Sequence, residues 1–205
     1  MSFMIGHDSE AFVLVDGKVD CAIGKIGGTK DKPLPVEGGA LQEDNVLVEI
    51  NVVPRPYEEL ELLIADTHKV WATAKEYIGD FELKASHEYT KEQLIGWGEQ
   101  ALEFGCDPDY NAWTGEMNTP PSPYTILRTA SGHPHAGYDN PSKQRSEAIA
   151  RLCDKYMGVP SVLLDTDTKR RELYGKAGCY RPKSYGMEYR TLSNFWLRSD
   201  DLMRS

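Results

Sequence analysis

Two hydrophobic periods divide this chain. Phe3 to Val15 reads as a strand, and Asp16-Gly17 turns it back into Lys18 to Ile23 as a hairpin. Val46 to Val53 is a β-branched run, the mark of a central strand, and Glu49 interrupts its apolar residues. Pro54 and Pro56 stop that strand. Leu60, Leu63, Ile64, Val70, Trp71, Ala74, Tyr77 and Ile78 then recur at about the 3.6 period, which predicts a helix over Tyr57 to Ile78, ended by Gly79 and laid across one sheet face. Phe81 to Glu88 reads as a strand. A shorter helix follows from Thr90 to Phe104, opened by a Thr90/Gln93 capping box and weakened by Gly96 and Gly98. Asn140 and Pro141 open another helix, with Ala148, Ile149, Leu152 and Tyr156 as its inner stripe and Gly158 as its end. Val159 to Leu164 is a short apolar segment, buried as strand or as a turn of helix, and Thr166 to Tyr174 is a short basic helix. Gly24 to Gly39 and Cys106 to Pro121 are loops by their turn residues.

The chemistry concentrates between Tyr174 and Asn194. Strand alternation from Met187 to Leu192 puts Glu188 and Arg190 on one face and Met187, Tyr189 and Thr191 on the other. Just upstream, Lys176, Arg181 and Lys183 are spaced by Gly175, Gly178 and Gly186, so cations ride on backbone able to approach a phosphate closely. Asp8 and Glu10, Glu49 and Asn51, and His133 and His135 repeat the pairing at i, i+2, and four such strands in one sheet would build a floor of carboxylates and imidazole for hard cations. Each pair also has a plainer reading. A D-x-E in a strand ordinarily faces water, whereas Glu49 among apolar neighbours is costly to bury unless paired or metal-bound. Pro134 cannot donate to a ladder, so it places the histidine strand at an edge or bulge. Asp107 and Asp109 read as turn acids without chemical role, Lys25 and Lys30 as solvated loop cations, and His68 as an ordinary helical side chain.

Composition narrows the partners. The 205 residues predict a single domain over 1–205, and a net charge of −9 with a pI near 5.1 argues against nucleic acid or an anionic membrane. The cysteines Cys21, Cys106, Cys153 and Cys179 are scattered without a C-x-x-C, so a zinc knuckle is not expected. No apolar run opens the chain or reaches membrane-spanning length, and the default compartment is a reducing cytoplasm.

Taken together, the G-H-D-S-E-A-F opening, G-H-P-H and Y-G-K-A-G-C-Y-R-P-K-S-Y-G-M-E-Y-R resemble the phage-type carboxylate-amine ligases, an amidoligase branch of the glutamine synthetase and glutamate-cysteine ligase superfamily. The resemblance implies an α+β fold, a curved and mainly antiparallel sheet with helices on its outer face. It implies ATP and Mg²⁺ or Mn²⁺ as cofactors, an acyl-phosphate intermediate, and small-molecule or peptide carboxylate and amine substrates. By position, Asp8, Glu10, Glu49, His133 and Glu188 are similar to the family's metal ligands. His135 matches the histidine nearer the nucleotide, with Lys176, Arg181 and Lys183 as phosphate cations. Arg190 resembles the arginine that faces the transferred phosphate or the substrate carboxylate; the resemblance makes Glu188, Arg190 and Arg181 the expected catalytic set, and Arg128 and Asn51 are expected at the substrate. Superfamily members often assemble in rings, which raises a homo-oligomer. The rival readings are a metal-dependent amide hydrolase and a phage binding or structural protein that keeps the fold without turnover.

Overall fold

The computed structural model describes residues 3–102, 108–119 and 125–205. In chain order the first strands are β1 (Met4–Val15), β2 (Lys18–Val19), β3 (Leu34–Val36), β4 (Gly39–Asp44), β5 (Leu47–Val52) and β6 (Arg55–Pro56). Helix α1 (Leu60–Ile78) follows, then β7 (Asp80–Glu82), β8 (Ser86–Glu88), α2 (Lys91–Gly96), α3 (Glu99–Leu102), β9 (Tyr110–Asn111), β10 (Leu127–Thr129) and β11 (Gly132–Gly137). The last part carries α4 (Lys143–Cys153), a π-helical turn (Asp154–Gly158), α5 (Val159–Leu164), α6 (Arg170–Leu173), β12 (Cys179–Lys183), β13 (Gly186–Tyr189) and α7 (Asp200–Arg204).

The fold is α+β. An 11-stranded sheet runs β3-β4-β5-β1-β11-β13-β12-β9, with β2, β6 and β7 also pairing with β1. Its strand pairs are antiparallel, and β8 and β10 form a separate two-stranded sheet. The long β1 is the seam, joined to β5 by Glu10↔Glu49 and to β11 by Asp8↔His133. Because side chains alternate, Ile5, Ala11 and Val13 leave one face with Val48 and Ile50 of β5 and pack on Leu63, Val70 and Trp71 of α1. Further along that face, Ala136, Met187 and Tyr189 pack with Ala150 of α4. His7 ties the two layers: Thr67 Oγ1 gives its proton to the Leu63 carbonyl at 2.8 Å, so it accepts from His7 Nε2 at 2.8 Å, and Nδ1 accepts from Ser9 Oγ at 2.8 Å. Helices therefore cover one face and leave the other to the polar pairs. Among the described residues no helix is long and apolar enough to cross a membrane.

Several elements depart from the sequence reading. The Gly24 to Gly39 loop contains β3, whose Leu34 and Val36 gain partners only when β4 lies beside them; Pro35 sits on this edge strand, where a missing N–H is harmless. Phe81 to Glu88 divides into β7 on β1 and β8 on β10. The Thr90 capping box forms, but Gly98 at φ 94° separates α2 from α3. Phe104 and Cys106 lie outside the described residues. Pro134 is interior rather than at an edge; it comes one residue before His135↔Glu188, where the β11–β13 ladder has already ended. Ser142, not Asn140, caps α4, its hydroxyl accepting from Arg145 N. Gly158 does not end that helix, which runs on through the π turn into α5. Of the expected inner stripe Ile149 packs on the core, but Ala148 faces out, as do Leu152, 55% exposed, and Tyr156, 65% exposed; α5 is exposed too, Leu163 to 85%. Buried tyrosines dictate that rotation: Tyr138 Oη meets Ser146 Oγ at 2.7 Å and Tyr189 Oη donates to Asp154 at 2.6 Å, so the small and polar helix face turns inward to satisfy them.

The sheet packs tightly where β4 crosses β5. A Cβ added at Gly39 would lie 2.0 Å from the Asn51 carbonyl oxygen. Gly39→Ala is expected to cost about 1–3 kcal/mol or more, read by urea denaturation, because backbone rather than a flexible side chain must move.

Candidate active site

Strand register places the predicted pairs in rows across the uncovered face. Gln42 stands opposite Glu49 and Glu49 opposite Glu10; Asn51 stands opposite Asp8 and Asp8 opposite His133; His135 stands opposite Glu188 and Glu188 opposite Arg181. These residues line or underlie a cavity of about 900 Å³, a volume adequate for a nucleotide-sized ligand.

Two groups of acids occupy the floor. In the first, Asp8 accepts from His133 Nδ1 at 2.8 Å and from His135 Nε2 at 3.1 Å. Beside it Glu188, wholly buried, meets Lys183 Nζ at 2.9 Å, Arg181 Nη1 at 3.4 Å and the Arg190 guanidinium. Burial opposes charge on Asp8, but the two imidazoles hold its carboxyl well below the usual range. Burial and Asp8 work against Glu188 as well, yet Arg190, His133 and Arg181 bring it to about 2. Burial and the Arg190 charge push His133 down to about 4. The second group is Glu10, Asp44 and Glu49. Glu10 accepts from the Ser131 amide at 2.6 Å, and burial raises all three acids; repulsion from neighbouring carboxylates adds to the rise at Glu10 and Glu49, whereas Lys30 and a hydrogen bond with Glu10 favour ionised Asp44.

The donor sets fit divalent metal. Asp8, His135 and Glu188 each offer one ligand atom, and so do Glu10, Asp44 and Glu49; in each triad these atoms lie within 4.8 Å of one another. Three carboxylates with raised pKa values, Glu10 and Glu49 buried and Asp44 half-buried, form a site that a hard cation would relieve; all-oxygen ligation suits Mg²⁺, and the mixed triad would also accommodate Mn²⁺.

The expected set converges with changes. Asp8, Glu10, Glu49, Glu188, Arg181, Lys183 and Arg190 meet on one face as the alternation implied. The histidine in the candidate metal grouping is His135, while His133 Nδ1 lies 2.8 Å from Asp8 and 3.4 Å from Glu188. Asn51 borders the cavity, and its buried Nδ2 has no acceptor among the described residues. Arg128 borders the cavity, and its guanidinium braces backbone there: Nη1 donates to the Thr125 and Leu127 carbonyls at 2.7 and 3.1 Å and Nη2 to Ala101 at 2.7 Å. Lys176 is exposed and does not border the cavity, because the Gly175–Gly178 turn holds its backbone against Thr191 Oγ1 at 2.9 Å and directs the residue outward. Asp109 is more than a turn acid, since its carboxylate accepts from Arg190 Nε at 3.2 Å and aims that side chain. Lys30 borders the cavity, and its charge favours ionised Asp44. The loop that carries it is gathered on Glu43, which accepts from the amides of Gly24, Ile26 and Gly27 at 3.0, 2.9 and 3.0 Å. Asp44 was missed; its signal was the alternation of Ala40, Gln42 and Asp44 around Leu41, concealed by the short span. Arg170, in the segment read as a short basic helix, is 2% exposed and donates to Thr191 O at 2.8 Å and Ser131 Oγ at 2.9 Å, clamping the ends of β11 and β13.

Residues 119–205 match the family model described as Phage phiEco32-like COOH.NH2 ligase-type 2. The matched span holds His133, His135, Arg181, Lys183, Glu188 and Arg190, while Asp8, Glu10, Asp44 and Glu49 precede it. The match supports a carboxylate-amine ligase. Neither the curated proteins nor the solved structures contain a match to this chain.

The raised acids generate a signed pH dependence. Glu49 titrates above the 4.5 of a free glutamate, first from burial and then from Asp8, Asp44 and Glu10. The folded state thus holds protons that the unfolded chain releases, and this contribution to stability is lost as pH rises through the raised value. Glu49→Gln is expected to raise the melting temperature of the metal-free protein at pH 8, by about 2–4 °C for each kcal/mol of repulsion removed. The same substitution should shrink the further rise on adding Mg²⁺ or Mn²⁺, both read by calorimetry.

Proposed function

We propose that this chain is an ATP- and divalent-metal-dependent carboxylate-amine ligase on a glutamine synthetase-like sheet, joining a small-molecule or peptide carboxylate to an amine. The observation that carries the reading is the pair of acidic triads, side by side on one face and flanked by Arg181, Lys183 and Arg190. Divalent ions held by the two triads would supply the positive charge that lets a triphosphate and a carboxylate approach each other.

The chain's own groups account for the rest. Lys183, on a flexible stem, and Arg181, with its planar fork, would bind phosphate oxygens beside Glu188. Arg190 is held on both sides, by Asp109 and by Glu188, so it presents a fixed charge where negative charge builds on the transferred phosphoryl group. Asn51 Nδ2 is a donor without an acceptor among the described residues and suits a carbonyl or carboxylate oxygen of the substrate. In the reaction a substrate carboxylate oxygen takes the γ-phosphoryl group and ADP leaves; the amine nitrogen then bonds the acyl carbon, phosphate departs, and the amine gives up a proton. No side chain need become a nucleophile.

Magnesium and ATP together should stabilise the protein, by about 2.7 kcal/mol at a hundredfold excess over Kd. Hydroxylamine offered as a generic amine should yield a hydroxamate and ADP across a panel of amino acids and peptides. Glu188→Ala and Arg190→Ala should abolish both effects. Stabilisation by metal without any response to ATP would point to an amide hydrolase, and a response to neither would leave a binding or structural protein.

A further inference from the structure

Tyr185 belongs to no part of the chemistry so far, yet its hydroxyl lies 2.9 Å from Nδ1 of His135, whose other nitrogen reaches Asp8 at 3.1 Å. Chain geometry puts it there. Tyr185 occupies the turn between β12 and β13, and its carbonyl accepts from the Tyr138 amide at 3.0 Å, which pins the turn to the end of β11. Gly186 follows at φ 153°, and a Cβ added to it would stand 2.0 Å from the Ala136 carbonyl oxygen, so the turn is pressed directly on the histidine strand. The phenol and imidazole rings lie nearly parallel, with centroids 6.0 Å apart and planes 27° from each other.

We propose that Tyr185 is the positioning residue of His135, a phenol that holds the ring with Nε2 toward Asp8 and Glu188 and pairs with Nδ1 in whichever protonation pattern metal binding demands. The argument is one of donors and acceptors. While Nε2 faces carboxylate, an acceptor, Nε2 carries a proton, and a bare Nδ1 takes the Tyr185 O–H. A metal ion in the Asp8–His135–Glu188 triad needs the Nε2 lone pair. The ring proton then stands on Nδ1 and needs an acceptor, and the same phenol oxygen provides it. The proton changes nitrogens without net gain or loss. Serine is too short to span this distance from the turn, and phenylalanine can play neither part. Such outer partners fix ring orientation and ligand basicity, and their loss ordinarily weakens metal affinity about 10–100-fold.

This inference rests on the metal reading of the triads, and its test separates the two. Free Mn²⁺ is followed by its aqueous EPR signal in titrations of the wild type, Tyr185→Phe and Tyr138→Phe, the last a neighbouring tyrosine whose hydroxyl serves Ser146. The wild type should take up Mn²⁺ in two classes of site. Tyr185→Phe should weaken one class about tenfold or more and leave the other unchanged. Its metal-free melting temperature should match the wild type, because the side chain is 44% exposed, and Tyr138→Phe should titrate as the wild type does. A general structural role would move melting or both classes. If Tyr185→Phe binds Mn²⁺ as the wild type does, this assignment falls alone; if the wild type binds none, the assignment and the metal reading fall together.

Discussion

Five carboxylates share one face of a sheet, and the way their charge is neutralised organises the molecule. On the β11–β13–β12 side, Asp8 is already satisfied by hydrogen bonds from two imidazoles and Glu188 is balanced by Lys183, Arg181 and Arg190. On the β4–β5 side, Glu10, Asp44 and Glu49 rest on burial-raised proton affinity instead. One half of the floor is preset for anions and the other is preset for a cation. A triphosphate with its metal spans both needs, which is why the same few strands suit both partners of the proposed reaction.

Holding like charges together costs stability, and the opposite face shows how the fold offsets it. Apolar residues of β1 and β5 pack on α1, and those of β11 and β13 on α4, so the strands that bear the acids cannot spread apart. Buried polar residues add direction to that packing. Arg170 ties β11 to the chain after β13, and Asn194 Nδ2 donates to the Glu10 carbonyl at 2.8 Å and the Lys84 carbonyl at 3.1 Å. His7, held neutral with burial pushing its pKa to about 3, locks β1 to α1. These residues touch no proposed ligand, yet they keep functional side chains in one register.

The family match covers only part of the floor. The matched residues carry its cationic half, and the preceding strands carry the all-oxygen triad. Their union is a property of strand pairing: Glu10↔Glu49 joins neighbouring strands, and Asp8↔His133 places residues more than a hundred positions apart at adjacent points of one sheet.

The i, i+2 pairs were legible in the sequence because strand periodicity is local; whichever strands Asp8 and Glu10, Glu49 and Asn51, His133 and His135, and Glu188 and Arg190 join, each pair shares a face. Helix α1 was legible for the same reason, its apolar stripe and Gly79 stop being encoded within a few turns. Tertiary structure decided everything that needs a distant partner. Leu34 to Val36 becomes a strand only beside β4, and α4 buries its small polar face only because Tyr138 and Tyr189 arrive with hydroxyls to satisfy. Arg128 and Arg170 meet backbone carbonyls, and Asp44, Asp109 and Tyr185 enter the site through cross-strand neighbours or turns. A sequence states which groups a residue carries; only the folded chain states which other groups lie within hydrogen-bonding distance of them.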